Sequence, residues 1–330
     1  MSSRGQSRWH ATVPGALRRR GFALLFGVGL AFVAAAADAS DFWEARADLE
    51  ATHRAELETF AVWCEENGFA DEAAEPRRKA APLDPSLIHL VLIDDAAQEH
   101  DLKSAPATGE PTEAARRAER LAHAYADELF DLARRAVRAR HAALAYDLVL
   151  SALRENPDHE AARRLLGYQK FRGGWRTRYE IAKIRAGQID HPKFGWLLEK
   201  HVPRYEAGER LVGDRWISAE EDARLRVDIR RGWQLETEHF EVITNDSLES
   251  GVELGRRLEQ LYRAWQQTFA GYYATQDELL QMFAGRSPRR ANNSRYRVIY
   301  FKNREQYQQA LAPHLPPGVE TQGIYLSSHR

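Results

Sequence analysis

Only one His-Glu pair, His159-Glu160, occurs in this 330-residue chain, and it is the first place to look for metal chemistry. Two histidines one helical turn apart, with a glutamate beside the first, would bind zinc on one face and activate a water. Here the pair continues Ala161-Ala162-Arg163-Arg164 and follows a helix-stopping Pro157, so Arg163 stands where the second ring is needed. The other histidines are scattered, with no pair three or four residues apart on a credible helix. Glu65-Glu66 and Asp94-Asp95 are adjacent carboxylates that point to different faces, as solvated surface does. Arg286-Ser287-Pro288-Arg289-Arg290 is a basic loop, either solvated or touching an acidic polymer, and Asn292-Asn293-Ser294 is formally a glycosylation sequon. Cys64 is the single cysteine, so no internal disulfide can form; it reads as a small buried residue or a reactive thiol. The chain has no glycine-rich phosphate loop and no nucleophile elbow. The residues therefore nominate no catalytic, cofactor-binding or metal-ligating set.

Spacing is more informative elsewhere. Trp175 and Trp216, 41 residues apart, each open the pattern W-x-[ST]-x-x-E-x-A-x-[IL]-R. Thr177 and Ser218 are placed as N-caps, and Glu180 and Glu221 stand where a capping-box carboxylate reaches back. Arg172-Gly173-Gly174 and Gly213-Asp214 supply turns ahead of each tryptophan. Each copy is expected to be a small hairpin feeding a capped helix. Between them, Phe194-Gly195-Trp196 and Tyr205 read as the core of a small module or as a binding platform.

These elements must be carried by a larger frame. Residues 1–39 read as a secretory signal: Arg18-Arg19-Arg20, an apolar run from Gly21 to Ala37, and small residues Ala37 and Ala39 at a cleavage site. The run is short for a membrane span, and membrane association is expected only if the segment stays uncleaved. Arg19-Arg20-Gly21-Phe22 also matches a twin-arginine signal. Without its five Arg and one Asp, the mature chain holds 42 basic and 47 acidic residues, a balance of about −5. That excess of acid argues against nucleic acid as a partner.

The mature chain divides into a helical region (40–166), the Trp-motif module (167–233) and a last part (234–330). In the helical region Leu57, Phe60, Ala61, Ala73, Ala80 and Pro85 are matched 72 residues later by Leu129, Leu132, Ala133, Ala145, Ala152 and Pro157. These units resemble tetratricopeptide repeats, although the first-helix Trp and Tyr are missing. Pro76 implies a kink or an early start to the second helix. Residues 104–111 read as a linker, and 87–93 as a strand or a buried helical turn.

The last part is expected to run strand, long helix, strand, helix, strand. His239–Thr244 is the first strand. Leu248, Val252, Gly255, Leu258, Tyr262, Trp265 and Phe269 form an amphipathic stripe on the long helix. Tyr296–Phe301 is the second strand, Asn303 caps the next helix with Gln306 in the box position, and Gly323–Leu326 begins a third strand. With no closing helix after it, this reads as an incomplete domain.

From Gly174 to Leu326 the chain resembles an uncharacterised family of exported bacterial proteins. In that family a helical and Trp-motif region precedes a domain similar to zincin metallopeptidases of the gluzincin type. The resemblance is carried by Trp175, Trp216, Phe194-Gly195-Trp196, Tyr205-Glu206-Ala207-Gly208-Glu209 and Thr237-Glu238-His239-Phe240. Tyr300-Phe301-Lys302-Asn303-Arg304-Glu305-Gln306-Tyr307 and Gly323-Ile324-Tyr325 complete it. It implies that these strands form the wall above a metal cleft, with a His-Glu-x-x-His helix following. No such helix is present, so no catalytic residue carries over, and zinc is implied only if a catalytic half lies beyond Arg330.

The expected class is α+β: a mostly helical N-terminal region with tetratricopeptide-like hairpins, a small Trp-motif α/β module, and the front portion of a zincin-like domain. The leading functional expectation is an exported protein, periplasmic, in the cell envelope or extracellular, non-catalytic as given. It would bind a protein or peptide through its helical repeats. The alternatives are the N-terminal part of a zinc metallopeptidase, and an envelope module whose Trp region binds glycan.

Overall fold

The computed structural model describes residues 24–82, 84, 86–87, 89–91, 111–273, 275–284, 295–315, 319 and 321–325. Residues 1–23 of the signal, 104–110 of the linker, Asp94-Asp95, the basic loop, the sequon and Leu326 lie outside the described residues. The class is α+β, with small sheets of two and three strands. Two compact units are present, Met1–Ala45 and Arg46–Arg330. Helix α1 runs from Leu24 to Glu66, and so begins within the first unit. Among the described residues no helix is long and apolar enough to cross a membrane.

The helical arm follows from alanine spacing. After a 3-10 turn, α2 covers Ala74–Ala80; Pro76 sits in its first turn, where a missing N–H costs nothing, so it marks an early start. Helix α3 (Glu113–Arg138) opens on Thr112, whose hydroxyl accepts from Ala115 N at 3.0 Å. Arg140, at φ 67°, turns the chain into α4 (Ala142–Glu155). Leu57, Phe60, Ala61, Ala73 and Ala80, and their counterparts Leu129, Leu132, Ala133, Ala145 and Ala152, are all buried. Small residues at these positions let the helices approach closely. Cys64 is buried among Phe60, Ala61, Ala73 and Ala114. His53 stacks on Tyr125 at 3.9 Å, and Arg117 lies 4.7 Å over Trp63, joining α1 to α3.

Helix α5 (Glu160–Leu165) is capped by His159, whose Nδ1 accepts from Ala162 N at 3.1 Å while Nε2 lies 3.1 Å from Asp127. The His-Glu pair is thus spent on a helix start. The 87–93 run forms neither a strand nor a helical turn in its described part. Instead the side-chain amide of Gln267 clamps Val91, accepting from its N–H at 2.8 Å and donating to its carbonyl at 2.9 Å.

Three hairpin–helix units follow: β1 (Gln169–Phe171) and β2 (Gly174–Arg176) with α6 (Arg178–Arg185), then β3 (Gln188–His191) and β4 (Gly195–Leu198) with α7 (Val202–Glu206), and finally β5 (Glu209–Val212) and β6 (Arg215–Ser218) with α8 (Ala219–Leu225). Each pair is antiparallel. Arg172 and Gly173, at φ 52° and 89°, close the first by the positive-φ turn that matches strand twist.

The last sheet corrects the expected strand order. Its strands are β7 (Trp233–Glu236), β8 (Phe240–Thr244) and β9 (Tyr296–Tyr300), with β7 antiparallel and β9 parallel to β8. The third strand therefore precedes His239, while Gly323–Tyr325 has no regular structure. Helix α9 (Leu248–Tyr273) crosses the sheet, followed by α10 (Gln276–Phe283), which opens on a Thr275–Glu278 capping box, and by α11 (Arg304–Leu311) after β9. Gly251 and Gly255 let α9 lie close on the sheet: a Cβ at Gly251 would overlap Leu235 Cδ1 and approach Thr244 Cγ2 to 2.9 Å. The apolar stripe is buried only in part. Val252 is 6% exposed, whereas Trp265 is 46% and Phe269 43% exposed. A 26-residue helix is about 39 Å long and a five-residue strand about 17 Å, so the far half of α9 overhangs the sheet.

Candidate functional site

Trp175 on β2 is 3% exposed, and its Nε1 donates to Asp158 Oδ1 at 2.7 Å, just ahead of α5. Thr177 accepts from Glu180 N at 3.3 Å, and Glu180 Oε2 accepts from Thr177 N at 2.7 Å, a complete capping box. In the second copy Ser218 accepts from Glu221 N at 3.1 Å, but Glu221 does not return the bond. The neighbouring Glu220 carboxyl is held below the ordinary range by its own backbone N–H and by the Ser218 hydroxyl.

A third member lies between the two copies. Gly195-Trp196 follows Gly174-Trp175 by 21 residues, and Trp216 follows after a further 20. Gly167, Gly187 and Gly208, at φ 92°, 75° and 85°, start the three hairpins from the end of the preceding helix. Every tryptophan rests on that preceding helix. Trp196 meets Tyr179 of α6 edge-on at 6.2 Å, and Trp216 lies under Arg204 of α7 at 4.0 Å and beside Tyr205 at 5.9 Å. Trp233 continues the ladder, its Nε1 donating to Asp222 of α8 at 2.7 Å. The repeated Gly-Trp and Ala-Gly dipeptides carried this signal, but Leu198 stands where the other copies have a hydroxyl cap, so the middle unit was hidden inside the 41-residue spacing.

This ladder docks on one face of α9. Arg210 Nη2 donates to Glu249 Oε1 at 2.8 Å, Gly195 lets the hairpin approach Val252, and Arg256 donates to Asp190 Oδ1 at 2.8 Å and to the carbonyl of Pro192 at 2.7 Å. Phe194 is buried and stacks on His191 at 4.6 Å, so these aromatics form the module's core.

His239 and Glu259 form a second polar centre, which needed the tertiary fold to be seen because they are 20 residues apart on β8's leading turn and α9. Glu259 accepts from His239 N at 2.7 Å and pairs with Nδ1 at 2.8 Å, while the ring stacks on Tyr262 at 3.9 Å. Burial works to raise the Glu259 carboxyl, but hydrogen bonds from His239 and Thr237 outweigh it and hold it below the ordinary range. Its neighbour Glu238 is pushed up by burial. The pair orients the imidazole and ties the start of β8 to α9, and the His239 carbonyl accepts from Tyr296 N at 2.8 Å at the start of β9. No group of three or more His, Cys, Asp or Glu placed to hold a metal occurs among the described residues.

The helical arm carries an open depression of about 520 Å³, lined by Leu49 of α1 and by Glu128, Asp131, Arg134, Arg135 and Arg138 of α3. Arg134 lies 3.6 Å from Asp131. Arg135 and Arg138 have no carboxylate within ion-pair distance among the described residues, and both stand exposed on the last turn of α3, where the helix dipole favours cations. The arrangement sets one half-buried leucine on the same face as two guanidinium groups with no carboxylate in reach among the described residues.

No family model matches the chain, and neither a curated protein nor a solved structure is similar to it.

Proposed function

We propose that this chain is an exported, non-catalytic scaffold that binds an extended peptide segment of a partner protein on its helical arm. The depression between α1 and α3 carries the reading: it sets Leu49 on the same open face as the exposed Arg135 and Arg138, where an extended segment would have both an apolar and a charged contact. Two further observations support a scaffold role. The helical arm has an apolar core, and the tryptophan ladder joins it to the module through Trp175–Asp158 and to the three-stranded sheet through Trp233–Asp222. Equilibrium dialysis of the full chain against a randomised hexapeptide pool tests the reading. Enrichment of a subset of peptides, lost on Leu49→Glu, is expected; a pool unchanged by the protein would overturn it.

A further inference from the structure

Resting on that reading, we infer that the segment is acidic, with an apolar residue seated at Leu49 and two carboxylates received by Arg135 and Arg138. The charges on α3 are sorted along its axis. Glu128 and Asp131 come first, then Arg134, Arg135 and Arg138, so the depression turns from negative to positive over about 15 Å, ten residues at about 1.5 Å each. Arg134 lies 3.6 Å from Asp131, which leaves Arg135 and Arg138 as the lining arginines with no carboxylate within ion-pair distance among the described residues. The two remaining arginines are three residues apart and so lie on one face of the helix.

Guanidinium groups match carboxylates with a planar fork of donors, which makes arginine a reader of acidic side chains rather than a bare point charge. An extended peptide advances about 6.6 Å for every two residues, comparable with the 5–6 Å between side chains three apart on a helix. Adjacent or alternate carboxylates can therefore reach both arginines. Helix-end charge explains why arginine is tolerated here, but it does not call for the apolar Leu49 opposite. A basic segment would find Glu128 and Asp131 at the other end of the depression but would meet Arg135 and Arg138 as like charges, and a neutral one would leave both arginines unused.

The test is fluorescence anisotropy on the full chain with labelled Ala-Leu-Ala-Glu-Glu, Ala-Leu-Ala-Gln-Gln and Ala-Leu-Ala-Lys-Lys. Two exposed charge-assisted contacts predict about tenfold tighter binding of the Glu peptide than of the Gln peptide, weakening as salt is raised. Arg135→Gln with Arg138→Gln should erase that preference and lower the melting curve only by the helix-end contribution of the two charges. Arg135→Glu with Arg138→Glu should transfer it to the Lys peptide. Equal affinity for the Glu and Gln peptides would overturn the inference and leave peptide binding standing; no binding of any of the three, together with an unchanged hexapeptide pool, would remove both.

Discussion

Replacing Trp175 by alanine tests whether the tryptophans hold the joint between the helical arm and the module. The indole is 3% exposed, and burying a ring of that size removes about 200 Å² from water, equivalent to about 5 kcal/mol at about 25 cal/mol per Å². Partial collapse of the space left behind puts the cost of Trp175→Ala at about 4 kcal/mol. Lys170 and Arg163, 5.1 and 5.9 Å from the ring, add about 0.5 kcal/mol each. The hydrogen bond to Asp158 adds about 1 kcal/mol, because that exposed carboxylate regains water when the indole is gone. Trp175→Phe keeps most of the burial and should cost about 1–2 kcal/mol. Asp158→Ala should cost about 1 kcal/mol alone and almost nothing in the Trp175→Phe background. Urea unfolding followed by far-ultraviolet circular dichroism measures these shifts, and limited proteolysis reports opening of the first hairpin at Arg172. A Trp175→Ala shift below about 1 kcal/mol, with no new cleavage between residues 167 and 174, would refute the wedge argument.

Other outcomes follow from single observations. Burial, reinforced by Lys79, pushes His53 down to about 4, with Glu56 at 3.8 Å and Tyr125 stacked on the ring. Its folded value lies below the ordinary 6.5, so the stability it confers is complete above about pH 6.5. That stability, about 3 kcal/mol, is lost as pH falls towards 4, and pH-dependent melting should flatten in His53→Leu. Gly251→Ala forces a Cβ into Leu235 and should destabilise by about 1–3 kcal/mol, read by thermal melting with no change in the helical arm's peptide affinity. Asn245 is 4% exposed and bonds the Val227 carbonyl, Gln306 and Lys302 N at 2.7–2.9 Å. Asn245→Leu should therefore cost about 3 kcal/mol by stranding those groups. Elemental analysis of the purified chain should show no stoichiometric zinc; one zinc per chain would overturn the non-catalytic reading.

What the sequence made legible was local. Thr177 and Glu180 could be read as a capping box because both partners lie within one helical turn, and the buried alanine positions of the helical arm because small residues recur there at helical spacing. Partners distant in sequence were not legible. Gln306 holds the expected box position but its side chain serves Asn245, 61 residues away, and at the second cap the Ser218 hydroxyl also serves the neighbouring Glu220 carboxyl. Trp265 and Phe269 fit the period of the buried stripe, yet no pattern along a helix says where the sheet beneath it ends. The arginine-lined depression was hidden for the same reason: Leu49 and Arg138 are separated by 89 residues and meet only when α1 crosses α3.

Photocrosslinking from position 49 decides most directly whether the helical arm binds peptides. With a benzophenone side chain in place of Leu49 in the full chain, irradiation in the presence of the labelled acidic peptide should give one covalent adduct at that position. The Arg135→Gln, Arg138→Gln double variant should reduce the adduct about tenfold. Labelling spread evenly over the surface, or an adduct at position 49 that competing unlabelled acidic peptide fails to displace, would contradict the proposal.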